Sequence, residues 1–245
     1  MPTRDTPLLA VLIDADNVPA KYAEAILREV TSYGEPGLRR VYGDWSSQQL
    51  SGWTRTAQNL GLVQHQQTAN TKGKNASDIG LVIDAMDILH AGHFDGFVLV
   101  SSDSDFTALA NRIREQGLDV IGIGEAKAPE SLRNVCNRFV LIENIMDEPV
   151  AAKPGQPQSE GETPAPVGKK PPLEAVPLIL RAMDKIEQDD DEWYPLGPIG
   201  QYITADNPDF DVRSYGKRKL SDLVLDLKRF ETRKQGNQLQ VRRKD

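Results

Sequence analysis

The chain has 245 residues and a formal net charge of -7, with 39% hydrophobic and 27% charged residues, which is the composition of a globular protein of one or two domains. No run approaches the roughly 18 apolar residues that a membrane-spanning helix needs, and the N-terminal apolar run lacks the cleavage site of a signal peptide. A single cysteine, Cys136, excludes an intrachain disulfide framework. These features predict a cytoplasmic protein without a membrane partner.

Short apolar runs alternate with helical patterns over the first 147 residues. The runs occupy residues 8–13, 38–43, 62–65, 96–100, 119–123 and 139–142. Helices are predicted at residues 19–33, 46–59, 77–91, 104–116 and 130–136. Runs that are apolar throughout are typical of parallel strands buried on both faces, so the sequence predicts a three-layer α/β domain. The right-handed crossover rule favours the strand order 3-2-1-4-5.

The third predicted helix carries an apolar pattern of its own, with Ser77 as its predicted N-cap. The positions that recur at helical spacing are Ile79, Val82, Ile83, Met86 and His90. This interpretation turns those side chains toward the core and places Asp84 and Asp87 on the solvated face.

Two pairs of aspartates follow predicted strands one and four. Asp14 and Asp16 come directly after the first strand, and Asp103 and Asp105 come directly after the fourth. Ligands of an open parallel sheet bind beyond the carboxyl ends of neighbouring strands, so both pairs are expected in one crevice, with Asp78 as a third contributor. Clustered carboxylates favour Mg²⁺ or Mn²⁺, and such an ion suits phosphodiester hydrolysis. The alternative is that each aspartate only caps the following helix.

Four segments of this domain together resemble a known family. They are LLAVLIDADNV (8–18), KGKNASDIGLVIDAM (72–86), GFVLVSSDSDFTALANRIREQGLDVIGIG (96–124) and APESLRNVCNRFVLI (128–142). Over about residues 6–145 the chain resembles the NYN domain, a branch of the PIN-like metal-dependent ribonucleases.

The resemblance implies a set of metal-binding and catalytic carboxylates, namely Asp14, Asp78, Asp103 and Asp105. Asn17 would be the polar partner three residues after the first of them, and Asp16, which has no secure counterpart, is left out of the predicted site. Lys72 and Lys74 lie in a loop before Asp78, where they are predicted to meet RNA phosphates, and the resemblance favours Lys74. A solvated surface loop is the alternative interpretation of these lysines.

Two other functions stay open for the first domain. The run IDADNV also fits the D-x-D-x-V pattern of haloacid-dehalogenase phosphatases, with Asp14 as a covalent nucleophile and Asp16 as the acid/base. That family also has a serine or threonine in one motif and an acidic pair in a later, separate motif. In this chain, SSDSDF (101–106) contains both the serine and the acidic pair, which does not fit that arrangement. A non-catalytic RNA-binding or scaffold protein is also open, because residues 1–147 carry 13 basic and 19 acidic groups and no obvious basic cleft.

Residues 148–172 predict a flexible linker, since they contain seven prolines and no Ile, Leu or aromatic residue. The chain is therefore predicted to divide into domains at residues 1–147 and 173–245. The second domain shows three helical segments and then a hairpin that turns at Gly236-Asn237. Three helices followed by a two-stranded wing predict a winged-helix fold.

Positive charge is concentrated at the C-terminal end of the second domain. Residues 213–245 carry 11 basic and 4 acidic groups, whereas residues 173–212 carry 2 and 10. The basic residues at the start of the third helix are Arg213, Lys217, Arg218 and Lys219. Winged-helix folds commonly meet nucleic acid at such a position, so these four are predicted RNA contacts. A solvated basic face is the alternative.

The second domain, from about Leu173 to Arg243, also resembles a known family, the LOTUS (OST-HTH) domain. The matching positions are Leu196-Gly197, Pro208-x-Phe210, Tyr215-Gly216, Lys219-Leu220, Leu223 and Phe230. The resemblance implies an RNA or protein partner. The sequence thus predicts a divalent-metal-dependent ribonuclease with a C-terminal RNA-binding module, acting on single-stranded or structured RNA. A protein partner or a homodimer stays open as well.

Overall fold

The computed structural model describes residues 5–66, 76–146, 169–186, 192–236 and 238–244. They belong to two compact units, the first within residues 1–154 and the second within residues 155–245. The described strands of the first unit are β1 (Leu8–Asp14), β2 (Glu35–Gly43), β3 (Val63–Gln66), β4 (Gly96–Val100), β5 (Asp119–Gly124) and β6 (Arg138–Leu141). The described α-helices are α1 (Ala23–Val30), α2 (Ser51–Leu60), α3 (Ala76–Ala91), α4 (Thr107–Glu115), α5 (Glu130–Val135) and α6 (Ile142–Met146).

The six strands form one parallel sheet in the order β3-β2-β1-β4-β5-β6. This confirms the predicted three-layer fold and strand order, with β6 added outside β5. Alternate residues of β1 enter different cores: Val11 and Ile13 face α1, α2 and α6, whereas Ala10 and Leu12 face α3, α4 and α5. Both faces of β1 are buried, which explains why its sequence is apolar throughout.

The central strands β1 and β4 end side by side, because Ile13 lies opposite Val100 in the register. The loop after β4 is also held close to the end of β5 at Gly124. A Cβ atom on Gly124 would lie 2.7 Å from the Ser101 carbonyl oxygen and 3.0 Å from the Ser102 hydroxyl oxygen. Any other residue there would push away the loop that carries the second aspartate pair.

The predicted orientation of the third helix is wrong. Ile79 and Ile83 are 61% and 59% exposed, whereas Leu81, Ala85 and Ile88 are buried against the sheet. Helix α3 is apolar on most sides, so it carries a second set of apolar residues at helical spacing. That second set packs against the sheet instead of the predicted one. Asp84, predicted to be solvated, is bonded to Arg40 and to the Tyr42 hydroxyl on β2, while Asp87 is exposed as predicted.

This helix orientation brings Asp78 to the sheet. Asp78, Leu81, Ala85 and Ile88 follow one another at intervals of three or four residues and so share one face of α3. Because the last three pack on the sheet, the first lies at its carboxyl edge. The side chain of Ser77, the predicted N-cap, lies outside the described residues.

The second unit has the predicted three helices and hairpin. Its described α-helices are α7 (Val176–Asp184), α8 (Leu196–Asp206) and α9 (Leu220–Asp226), and its strands are β7 (Tyr194–Pro195), β8 (Phe230–Gln235) and β9 (Gln238–Arg243). The strands form an antiparallel sheet in the order β7-β9-β8. Gly236 takes a φ of 60° at the turn, and Asn237 lies outside the described residues.

The second unit has its own core, built from α7, α8, α9 and the inner face of the hairpin. Residues at the end of the predicted linker contact this unit, since the Lys170 backbone N–H donates to the Ser214 carbonyl over 2.8 Å. Residues 147–168, which include most of the predicted linker, lie outside the described residues. Within the described parts of the chain, no helix is long and apolar enough to cross a membrane.

Candidate functional site

Asp14 is the buried centre of the candidate site. Its side chain is only 1% exposed at the end of β1. Its Oδ1 accepts hydrogen bonds from the backbone N–H groups of Asp16 (3.1 Å) and Asn17 (3.2 Å). Its Oδ2 accepts from Asn17 Nδ2 (2.7 Å) and from the Ser101 hydroxyl (2.8 Å). A carboxylate has about four acceptor sites, so hydrogen bonds fill the acceptor capacity of Asp14.

Three further carboxylates meet beside Asp14. Asp78, Asp103 and Asp105 each offer one oxygen, and these oxygens lie within 4.8 Å of one another. Asp78 and Asp103 are half-buried, and Asp105 is exposed. The predicted meeting of the residues after β4 with the start of α3 therefore occurs, while Asp14, at the end of β1, does not belong to the group of three.

The loop after β4 holds two of these carboxylates in place. Asp103 Oδ1 accepts the backbone N–H of Asp105 over 2.9 Å, which is the helix-capping role considered as the alternative. The backbone N–H of Asp103 in turn donates to the Ser101 hydroxyl over 3.1 Å. Capping uses one oxygen of Asp103, so its second oxygen is available to a cation.

The crowding of carboxylates changes the affinity of Asp78 for a proton. Burial contributes most, followed by the charges of Asp14, Asp103, Asp16 and Asp105, and together they raise the pKa of Asp78 to about 6. Burial also raises the pKa of Asp14, although the hydrogen bonds from Asn17 and Ser101 oppose the change. A divalent cation would replace this repulsion by attraction, and oxygen donors are the ligands that Mg²⁺ and Mn²⁺ prefer. The residues present therefore fit such an ion.

The sequence predicts two basic contacts and one polar partner of Asp14 at this site. Lys72 and Lys74 fall outside the described residues. Asn17, the predicted partner of Asp14, does lie beside it and donates to it through both its backbone and its side chain.

The four predicted RNA contacts of the second unit are in different environments. The Arg213 guanidinium binds the Asp211 carboxylate, with Nη2 at 2.7 Å and Nε at 2.9 Å from Oδ2. Asp211 is itself 4% exposed. Lys217 forms an ion pair with Asp226 at 3.0 Å. Arg218 and Lys219 are exposed just before α9.

The profile of the NYN domain family matches residues 8–143, which is more than half of the chain. The chain belongs to the NYN domain family. This is a nuclease family, and the match covers every strand of the sheet described above together with all the candidate carboxylates. The profile of the OST-HTH/LOTUS domain matches residues 171–241 of the second unit. Both domain types interact with RNA, so the two matches support RNA as the partner.

Similarity to solved structures is distant. A protein of unknown function from Vibrio parahaemolyticus is 21% identical, with a TM-score of 0.48, over 58% of this chain and 96% of its own. An uncharacterized protein from Nitrosomonas europaea is 32% identical, with a TM-score of 0.26, over 39% of this chain and 93% of its own. MurG of Acinetobacter baumannii is 14% identical, with a TM-score of 0.38, over 83% of this chain and 65% of its own. All three TM-scores are under 0.5, so none supports a conclusion about function.

No curated protein matches the chain. The assignment of the candidate site therefore depends on its own geometry and on the NYN family profile.

Sequence reasoning missed two features next to the candidate site. Ser101 connects Asp14 to the Asp103 loop by accepting one hydrogen bond and donating another, and its place directly after β4 was the available signal. Tyr42 lies opposite Asp14 in the register of β1 and β2, and its hydroxyl binds Asp84, which also binds Arg40 at 2.5 Å. Burial is the largest contribution that raises the pKa of the Tyr42 hydroxyl, so it stays a neutral donor. No local pattern predicts that second feature, because its residues come from β2 and α3.

Proposed function

We propose that this protein is a divalent-metal-dependent ribonuclease that hydrolyses RNA phosphodiesters. The observation that carries the proposal is the group of three carboxylates, Asp78, Asp103 and Asp105, whose oxygens lie within 4.8 Å of one another in a NYN domain. Mg²⁺ or Mn²⁺ bound by these residues would supply positive charge to a phosphate and acidify water.

The residues of the chain have separate tasks in this proposal. Asp78, Asp103 and Asp105 hold the ion, and the loop after β4 fixes the last two of them. Asp14 contributes negative charge that acts on Asp78, and it holds Asn17 and Ser101 in position. Ligation by Asp14, which the sequence also predicts, requires it to exchange one of its four hydrogen bonds. Lys72 and Lys74 remain predicted contacts to the RNA phosphates.

The second unit is proposed to capture RNA for the first. The predicted domain boundaries place a linker at residues 148–172 between a nuclease domain (1–147) and a winged-helix domain (173–245). A short flexible tether keeps a captured strand at about millimolar local concentration, which favours its entry into the carboxylate site. Arg218 and Lys219 are the predicted contacts best placed for capture, because both are exposed.

The phosphatase alternative is not supported by the position of Asp14. A covalent nucleophile must present a free oxygen to the phosphorus, whereas Asp14 is 1% exposed and accepts four hydrogen bonds. A phosphomonoester substrate tested beside RNA separates the two activities, and turnover of the monoester alone would favour the phosphatase.

The proposal is tested by incubating the purified full chain with end-labelled structured and unstructured RNA. We expect cleavage with Mn²⁺ or Mg²⁺ and none with EDTA, with activity restored when the ion is added back. Cleavage that continues in EDTA would contradict the metal requirement. RNA binding without cleavage under every metal condition would favour the non-catalytic RNA-binding protein instead.

A further inference from the structure

A basic groove lies in the second unit at the end of the hairpin away from the Gly236 turn. Its volume is about 510 Å³. Its floor is apolar and consists of Val176, Leu180 and Phe230. The other lining residues that the structure describes are cations, namely Lys228, Arg229, Arg243 and Lys244.

The backbone holds these cations together. Phe230 lies opposite Arg243 in the β8–β9 register, and the Lys244 backbone N–H donates to the Arg229 carbonyl over 2.9 Å. The cations of the two chain segments therefore stay adjacent although like charges repel. A bound anion would relieve this repulsion.

Only part of this charge is neutralised within the unit. Arg243 pairs with Asp184 and also donates to the Leu180 carbonyl over 3.4 Å. Arg242 lowers the pKa of Glu231 most, through its hydrogen bond and its charge, and the charge of Lys244 lowers it further. Lys228 and Arg229 are exposed and form no ion pair with any residue that the structure describes. Among the residues that the structure describes, no carboxylate lines the groove.

We propose that this groove binds the phosphate backbone of an RNA strand. The second unit would then contact RNA at two places, because Arg218 and Lys219 precede α9 whereas Lys228 and Arg229 follow it. The seven residues of α9 separate the two places by about 10 Å at 1.5 Å per residue. The inference rests on RNA as the partner in the proposed function, and it is independent of cleavage.

A phosphate backbone fits the groove better than an amphipathic peptide does. Val176 and Phe230 are 6% and 8% exposed and only Leu180 is partly exposed, so the floor offers little apolar surface to the side chains of a peptide. The cations, in contrast, are exposed along the rim. A strand that carries its charge on its backbone can use them without apolar contacts.

The test measures binding of a fluorescently labelled single-stranded RNA to the full chain in EDTA, over a range of salt concentrations. The variant is Lys228→Ala with Arg229→Ala, whose exposed side chains can be shortened without opening the core. Loss of two phosphate contacts predicts a salt slope smaller by about 1.4, or about 25-fold weaker binding at 0.1 M salt. The control is Arg181→Ala with Lys185→Ala, which removes one arginine and one lysine outside the groove, from α7 and from the residue that follows it. Lys185 already pairs with Asp206, so this control should bind nearly as the unaltered chain does.

Each outcome assigns the groove differently. Equal affinity and slope for the variant and its control would overturn the groove assignment and leave the RNA-binding function intact. Failure of the unaltered chain to bind RNA would overturn the RNA part of the proposed function and this inference with it. Binding of a poly-glutamate probe that depends on Lys228 and Arg229, with RNA binding unchanged, would overturn the inference in favour of an acidic protein partner.

Discussion

The carboxylates of the first unit and the cations of the second are held in opposite ways. Asp14 is buried and accepts four hydrogen bonds, and Asp103 is fixed by the backbone of its own loop. Arg218 and Lys219 are exposed before α9. A cation site needs donor oxygens at fixed positions, which rigid strand ends provide. Attraction to a phosphate backbone needs charge more than geometry, and long exposed side chains provide that.

Arg213 is the most buried of the paired cations in the second unit, and it makes the comparison testable. It belongs to the predicted RNA contacts, yet its guanidinium donates to the buried Asp211 carboxylate over 2.7 and 2.9 Å, distances similar to those of the side-chain hydrogen bonds to Asp14. Position in the sequence therefore does not separate a structural cation from an exposed one. Substitutions of the carboxylates in the first unit and of the cations in the second can distinguish these roles.

The largest effect is expected from Asp103→Asn. The amide keeps the oxygen that accepts the Asp105 N–H and removes the charge, so the loop should stay folded while the ion is lost. We expect cleavage of labelled RNA to fall by at least about a hundredfold, since even an indirect partner of a metal site contributes about 10–100-fold. RNA binding in EDTA should be unchanged.

The control for that substitution is Asp119→Asn, on the exposed first residue of β5 at the opposite edge of the sheet. It should cleave RNA at the unaltered rate. Equal rates for the two variants would refute the assignment of Asp103 to the ion and would leave the carboxylates with a structural role.

The next largest effect is expected from Arg213→Ala, on stability rather than on RNA. The change leaves the Asp211 carboxylate, which is 4% exposed, without its guanidinium. Because Arg213 is itself 19% exposed, we expect a loss of about 2 kcal/mol of unfolding free energy, below the roughly 3–5 kcal/mol of a fully buried pair. Urea unfolding of the full chain, followed by circular dichroism, measures the loss.

Adding Asp211→Asn to Arg213→Ala should recover part of that stability, because the uncompensated charge is removed. A stable Arg213→Ala protein with a reduced salt slope of RNA binding would contradict this interpretation. It would return Arg213 to the exposed, RNA-contacting side of the comparison.

The triple change of Lys217, Arg218 and Lys219 to Ala sharpens the basic side of the comparison. Lys217 already pairs with Asp226 at 3.0 Å, so the two exposed residues should account for nearly all of the effect. We expect Arg218→Ala with Lys219→Ala to reduce the salt slope by about 1.4, and Lys217→Ala alone to leave it almost unchanged. Fluorescence anisotropy with labelled RNA in EDTA measures both slopes, and a full share for Lys217 would show that it leaves Asp226 to bind RNA.

Much of this molecule could be predicted from local sequence. The strands of the first unit were predictable because both of their faces are buried, which leaves apolar runs such as that of β1. The crossover rule then placed β1 beside β4, and with it Asp14 beside the Asp103 loop. The winged-helix pattern of the second unit followed from three apolar periodicities and the Gly236 turn.

Features that depend on contacts between distant segments could not be predicted. Helix α3 carries apolar residues on more than one side, so its buried face is decided by packing against β1 and β2 rather than by its own period. The same packing gives Asp84 its partners Arg40 and Tyr42. Saturation of the Asp14 carboxylate depends on Ser101, 87 residues away, and the partner of Lys217 depends on where α9 ends.

The smallest effect is expected from Asp78→Asn, and it tests whether carboxylate repulsion is present without an ion. The pKa of Asp78 is raised from 3.8 to about 6, so between these pH values the folded state holds more protons than the unfolded chain. Stability contributed by this group therefore falls as pH rises from about 4 to about 6, and the full penalty persists above that range. Each pKa unit corresponds to about 1.4 kcal/mol, which solvent screening of a half-buried group reduces to a total of about 1 kcal/mol.

Removing that penalty should make Asp78→Asn more stable than the unaltered chain at pH 7.5 in EDTA, by about 3 °C in Tm. The difference should shrink toward pH 5, because the carboxyl of the unaltered chain then becomes protonated. Asp87→Asn, on the exposed face of the same helix, is the matched control and should show no such pH dependence. Mn²⁺ should reverse the order, since an ion that binds only the folded state stabilises the unaltered chain more than the variant. A variant that is less stable than the unaltered chain in EDTA at pH 7.5 would mean that the Asp78 carboxylate is held by favourable contacts, and the acidic side of the comparison would lose its reason to bind a cation.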